Sequence, residues 1–208
     1  MIVEYCHEAA IPAIEDAVAE RRTVMENGNI GGSANEPASR IAARALARAA
    51  ASSTRADDDW KQLSGRLHLA LDALQEDEYL IVSIRGTNRY VQFSAQGPFG
   101  MRAEATSNYY LPDGEDLDEG QHRSLLKLGW RAPTNLPEGI GPHETEGSPN
   151  YFVELEPPVD HGLLAALAVI TLASVFGASD ARQLEYRAFD CDGTGILFPT
   201  LGIAQAEA

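Results

Sequence analysis

Three short stretches between residues 79 and 111 constrain this chain more than any other feature. YLIVSIRG (79–86), RYVQFSA (89–95) and GMRAEATSNYYL (100–111) are rich in β-branched and aromatic residues. Only Gly86-Thr87-Asn88 and the Gln96 to Gly100 turn connect them, so the spacing predicts an antiparallel meander. Side chains at i and i+2 of a strand share a face. Val91 and Phe93 therefore point one way, and Tyr90, Gln92 and Ser94 the other. In the third stretch Met101, Ala103 and Ala105 oppose Arg102, Glu104, Thr106 and Asn108. One face suits a helix; the other is polar, with an aromatic and a pair of opposite charges.

The helix for the apolar face precedes the meander. Trp60, Leu63, Leu67, Leu71 and Leu74 recur at helical spacing behind Asp57 to Asp59, any one of which can cap the N-terminus. A second helix follows the strands. Asp116 and Glu119 form a capping-box-like pair, Leu117, Leu125 and Leu128 give an apolar stripe, and Gly129 before Trp130 predicts a Schellman ending. The Pro/Gly-rich stretch 132–150 reads as a long loop. YFVELE (151–156) is a strand and 162–176 an apolar helix. Residues 181–190 and 195–203 read as a closing hairpin around DCDGTG.

Ahead of this unit, residues 8–25 place Ile11, Ile14, Val18 and Met25 on one helical face. The Asn/Gly run 26–36 ends that helix, and Pro37 opens an Ala-rich one. Arg40, Arg44 and Arg48 form a basic stripe on it, either a solvated face or a contact with an acidic surface of the same chain. The expected organisation is an N-terminal helical extension over 1–57, an α+β domain over 58–203 with helices packed on an antiparallel sheet, and a tail at 204–208. Short isolated helices are marginal in water, so the extension needs a host, in cis or on a second copy, the alternative being a segment that stays mobile until a partner binds. The helices at 60–74 and 162–176 carry more apolar surface than one small sheet face covers, which leaves a symmetric homodimer open.

Charge narrows the partners. With 31 acidic and 16 basic side chains the formal charge is −15, which argues against nucleic acid, whose phosphates call for Lys and Arg. The N-terminus has no basic, then apolar, leader pattern, and the 162–178 window falls short of the ~20 residues that span a bilayer. A cytoplasmic protein with no membrane partner is the expectation. Cys6 and Cys191 lie far apart and are read as two reduced thiols.

No stretch supplies a reagent set. DCDGTG lacks the later acidic ligand of a calcium loop and reads as a turn. His7, His68, His122, His143 and His161 are scattered, and adjacent Cys6 and His7 do not face each other. The acids of DGEDLDEG (113–120) sit where a helix N-terminus favours negative charge. No nucleotide loop or nucleophile elbow is present, so neither cofactor, metal nor catalytic residue is expected.

Several short motifs carry a resemblance: Arg89-Tyr90-Val91-Gln92-Phe93, Arg102-Ala103-Glu104, Ser107-Asn108, Leu128-Gly129-Trp130, Pro149-Asn150-Tyr151-Phe152, Ala188-Phe189-Asp190 and Pro199-Thr200-Leu201-Gly202. From Trp60 to Gly202 the chain resembles the TY-Chap domains of actinobacteria, relatives of type III secretion chaperones and of the YbjN-type fold. The resemblance implies a chaperone-like α+β fold, recognition of a peptide or protein client, no cofactor, and often a dimer. On this reading the sheet is the working surface, and Tyr90, Gln92, Arg102, Glu104, Asn108 and Trp130 are the candidate partner-binding residues. The plain alternative is a solvated sheet face with a cross-strand ion pair. Two other functions stand behind the chaperone or adaptor: a regulatory or immunity-type module masking a basic partner, and a hydrolase or metal-dependent enzyme using the acidic loops.

Overall fold

The computed structural model describes residues 55–134 and 148–206. The helices expected at 8–25 and 37–52 lie outside the described residues, as does most of the Pro/Gly-rich loop. Within them, helix α1 (Arg55–Ala73) leads into strands β1 (Glu78–Ile84), β2 (Tyr90–Ala95) and β3 (Met101–Ala105). Helix α2 (Glu119–Leu128), strand β4 (Tyr151–Leu155), helix α3 (His161–Ile170), strand β5 (Leu184–Asp190) and the two-residue β6 (Ala204–Gln205) complete the order. The sheet runs β4-β3-β2-β1-β5-β6.

The meander takes the expected register. Leu80 pairs with Phe93, Val82 with Val91, Phe93 with Ala103 and Val91 with Ala105. β4 extends it with Val153 opposite Ala103, and β5 with Ala188 opposite Leu80 and Tyr186 opposite Val82. These residues form one face of the sheet and share a single core with Leu63, Leu67 and Leu71 of α1, Leu125 of α2, and Leu164, Leu167 and Ala168 of α3. The apolar residues of both long helices are thus accommodated within one chain. Burying a Leu side chain contributes about 1.5–3 kcal/mol, so this layer is the principal source of stability.

Three local details depart from the sequence reading. The α2 cap is Asp118, not Asp116: its carboxylate accepts from the Gln121 amide while the Gln121 side chain accepts from the Asp118 amide. Both pairs fit the same four-residue pattern, and two residues separate them. α1 already begins at Arg55, so Asp57 to Asp59 lie in its first turns. The closing hairpin is replaced: after β5 an Asx-stabilised turn returns only as far as the single bridge Phe189–Gly195. The chain then makes a 3-10 turn at Pro199–Leu201 and comes back as β6, parallel to β5. Leu201 is fully buried, and anchoring it in the core diverts the chain from a hairpin.

The Schellman ending of α2 is present. Gly129 adopts φ 107° and Trp130 donates its amide to the Leu125 carbonyl. The indole lies inside the core, where Nε1 donates to Thr171 Oγ1 at 2.9 Å, and that hydroxyl donates to the Leu167 carbonyl at 2.8 Å. Thr171 opens a π-helical segment, Thr171–Val175, which prolongs α3. Among the described residues no helix is long and apolar enough to cross a membrane. Replacing Thr171 by Val would leave the buried indole N–H without an acceptor. We expect a loss of ~1–3 kcal/mol in urea unfolding followed by tryptophan fluorescence, whereas Thr171→Ser should stay near the parent.

Candidate functional site

All three described helices pack on the face just described, so the opposite, far face carries no described helix. Its rows follow from the register: Glu154–Arg102–Ser94–Tyr79–Phe189, then Phe152–Glu104–Gln92–Ile81–Arg187, with Tyr90 opposite Ser83 beyond. Two regions of different chemistry share this surface. Over β2, β1 and β5, Tyr79, Ile81, Tyr90 and Phe189 form a second apolar cluster that contains no helix residue. Tyr79 and Phe189 stack with ring centroids 5.4 Å apart. Over β4 and β3 lies a charge cluster.

Glu104 is its centre. One carboxylate oxygen accepts from Arg102 Nε at 2.9 Å and Ser148 Oγ at 3.0 Å, the other from Gln92 Nε2 at 2.6 Å and Asn150 Nδ2 at 3.3 Å. Arg102 reaches Glu154 with Nη1 at 2.8 Å, and Arg131 lies 4.0 Å from the same carboxylate. Both guanidinium groups sit over the Phe152 ring, 4.9 and 4.6 Å from its centroid, a cation–π arrangement. Arg102 and Glu104 are only 8% and 7% exposed. An ion pair this buried stands only when its remaining hydrogen-bonding capacity is met, and the four donors on Glu104 meet it. The solvated-face alternative is therefore overturned for these residues.

Asn150 ties the cluster together. Its Oδ1 accepts from the Ser107 amide at 3.1 Å, and its Nδ2 also donates to the Tyr90 hydroxyl at 3.2 Å. One side chain thus links β2, β3 and the approach to β4. Of the six residues proposed from sequence, the structure brings Tyr90, Gln92, Arg102 and Glu104 together. It places the other two elsewhere. Trp130 is 2% exposed in the helix-side core. Asn108 accepts from the Leu117 amide at 2.8 Å, and its Nδ2 lies 3.5 Å from His122 Nε2. The other ring nitrogen of His122 meets the Tyr151 hydroxyl, a phenol that burial pushes above its ordinary value. Asn108 therefore braces α2 against the turn after β3, and His122 carries the contact on to β4.

Sequence reasoning missed Ser148, Asn150, Phe152, Glu154 and Arg131. Alternation along 151–156 could have assigned Phe152 and Glu154 to the far face. Ser148 and Asn150 sit at the end of a loop with no periodicity to place them.

Both sheet edges are partly occupied. On β4, Phe152 exchanges backbone hydrogen bonds with Arg131, and the Thr134 amide donates to the Ser148 carbonyl. On β5, the amides of Ile196 and Ala206 donate to the Ala188 and Tyr186 carbonyls. Two of the scattered histidines do meet: the His68 and His161 rings lie 6.4 Å apart, and His161 Nδ1 is 3.1 Å from Asp72. Among the described residues no group of three or more His, Cys, Asp or Glu could hold a metal ion.

This arrangement, a mixed sheet with helices on one side, is that of a chaperone-like α+β domain. Residues 53–190 match the family TY-Chap3, described as T3SS (YopN, CesT) and YbjN peptide-binding chaperone 3, and the chain belongs to this family. Comparison with curated proteins and with solved structures returned no match.

Replacing Glu104 by Gln would set an amide N–H₂ against donors and leave the buried Arg102 undercompensated. We expect a cost of ~3–5 kcal/mol in chemical denaturation. Combining it with Arg102→Met should recover a substantial part, because both charges then leave together. A double variant as unstable as the sum of the singles would refute the coupling.

Proposed function

We propose that the protein is a non-enzymatic chaperone or adaptor that holds an apolar segment of a client protein across the far face of its sheet. The observation carrying this reading is the Tyr79, Ile81, Tyr90 and Phe189 cluster, an aromatic-rich patch made wholly of strand residues with no described helix on it. Family membership supports the coarse assignment, because TY-Chap3 domains are peptide-binding chaperones. Aromatic side chains bring large contact area at low entropic cost and dominate interface energetics.

The geometry favours the face over an edge. Strand addition needs a row of unpaired backbone groups, and segments on β4 and β5 already use part of each row. The charge cluster acts as the rigid wall beside the patch: Tyr90 belongs to the apolar cluster and accepts from Asn150 of the polar one. Arg102 and Glu104 accordingly serve the client indirectly, by holding Tyr90 and Gln92 in place. Glu104, with four donors on its two oxygens, is a structural carboxylate.

An array of short peptides with apolar and aromatic anchors, probed with the full chain, tests the reading. Peptides that bind should lose about tenfold or more in affinity with Ile81→Ser. They should be indifferent to Leu69→Ser, which changes a side chain that is 61% exposed on α1. Binding unaffected by Ile81→Ser and by Phe189→Ser, in proteins that still melt cooperatively, would place the client elsewhere. Binding confined to basic peptides and abolished by salt would favour the module that masks a basic partner.

A further inference from the structure

The apolar patch on the far face is buried: Tyr79 is 8% exposed, Ile81 5%, Tyr90 7% and Phe189 5%. Yet every described helix packs on the other side. A strand surface is hydrophobic on two faces only when both are covered, so this sheet has the sequence of a three-layer structure with two layers described. The chain has the material for the other. Residues 1–54 precede α1 and contain the two amphipathic stretches at 8–25 and 37–52.

Reach favours them. α1 passes into β1 through residues 74–77, so its C-terminal end lies at the Glu78 end of the sheet, and it also packs on the 3-10 turn Ala181–Gln183 just before β5. The start of α1 therefore lies at the Ile84–Leu184 end of the sheet, and the preceding residues leave from there. A helix over 37–52 would be about 24 Å long at 1.5 Å per residue, close to the ~23 Å of a seven-residue strand. It can run the length of the sheet to the other end of β1 and β5. A face of five strands, ~4.8 Å apart, is wide enough for two helices at 8–10 Å spacing.

Charge favours them as well. At that other end Asp77 and Asp192 lie in the turns flanking Tyr79 and Phe189, while the Glu78–Asp190 pair falls on the helix side of the sheet. Desolvation first, and then the charges of Asp192, Asp77 and Asp190, push the Cys191 thiol above its ordinary value. Residues 55–208 hold 24 of the 31 acidic side chains and 11 of the 16 basic ones, whereas 37–54 holds Arg40, Arg44 and Arg48 and no acid. The Arg stripe thus has an acidic rim to meet, and Ile11, Ile14, Val18 and Met25 have an apolar patch.

We propose that residues 1–54 fold back over the far face as an internal pseudo-client: Ile11, Ile14 and Val18 on the Tyr79, Ile81, Tyr90 and Phe189 patch, the Arg40–Arg48 stripe along the acidic rim. This rests on the reading of the far face as the client surface and adds its regulation, since a client must displace the segment. A client's apparent affinity is reduced by the fraction of molecules whose face is occupied.

Cys191, exposed and one residue beyond β5, is a native attachment point beside the patch. In a Cys6→Ser background a spin label on Cys191 should broaden the amide signals of residues 8–25. An Ile11→Ser/Ile14→Ser/Val18→Ser variant should lose that broadening and bind array peptides about tenfold more tightly. Unbroadened signals in the parent would overturn the proposal. Broadening seen only when labelled chain is mixed with unlabelled isotope-enriched chain would assign the face to a second copy and overturn docking in cis. Broadening in cis without any gain in peptide affinity would uphold the docking and overturn the client reading of the face. If docking fails while Ile81→Ser still abolishes peptide binding, the client reading stands without the regulation.

Discussion

A carboxylate withdrawn from water has to be surrounded, and the four donors around Glu104 come from three stretches of chain. Gln92 arrives on β2, Arg102 on β3, and Ser148 and Asn150 from the far end of the long loop. None of these donors can drift without leaving a buried charge uncompensated, at a cost of several kcal/mol. The cluster therefore does for the far face what the leucine layer does for the other. It forces β2, β3 and β4 into one register and sets Tyr90 at the border of the apolar patch. Hydrophobic packing alone tolerates slippage of similar side chains; four directional bonds to one group do not.

The division of labour between the faces follows. The helix side supplies most of the buried area and is chemically uniform, so its residues explain stability and little else. On the far side, charge and aromatic surface meet within a few strands. The client-binding role proposed for this face calls for a surface that is apolar and held in place. The ion cluster supplies rigidity without consuming the aromatic area.

Much of this was legible in the sequence. Period-two alternation gave Val91, Phe93, Met101, Ala103 and Ala105 their side, and the leucines at 63, 67 and 71 identified the helix that covers them. The Gly129-Trp130 ending was readable because a left-handed glycine followed by a large apolar residue has a single common use. The burial of Arg102 and Glu104 was not legible, because alternation sorts residues between faces without saying what covers each. Ser148 and Asn150 escaped because nothing local places the end of an irregular loop; only family resemblance drew attention to Pro149-Asn150-Tyr151-Phe152. Trp130 and Asn108 were proposed as contacts with the other four on the reading of the sheet as the working surface. Each proved to have a local structural use, one in the core and one bracing α2. The parallel β6 was hidden by its length, since two residues carry no period.

The pairing of β3 with β4 sets residues 105 and 151 side by side although the whole stretch 106–150 lies between them. The neighbouring hairpins close over a few residues. Closing the longer loop costs more chain entropy and is rewarded only when β4 has docked. The meander with α1 is thus suited to nucleate folding, and the Arg102–Glu154 pair to form after the main barrier. Contacts made late leave the folding rate nearly unchanged and govern how fast the native state opens. The charge cluster is in this sense a clasp: it sets the lifetime of the folded molecule more than the speed of its formation.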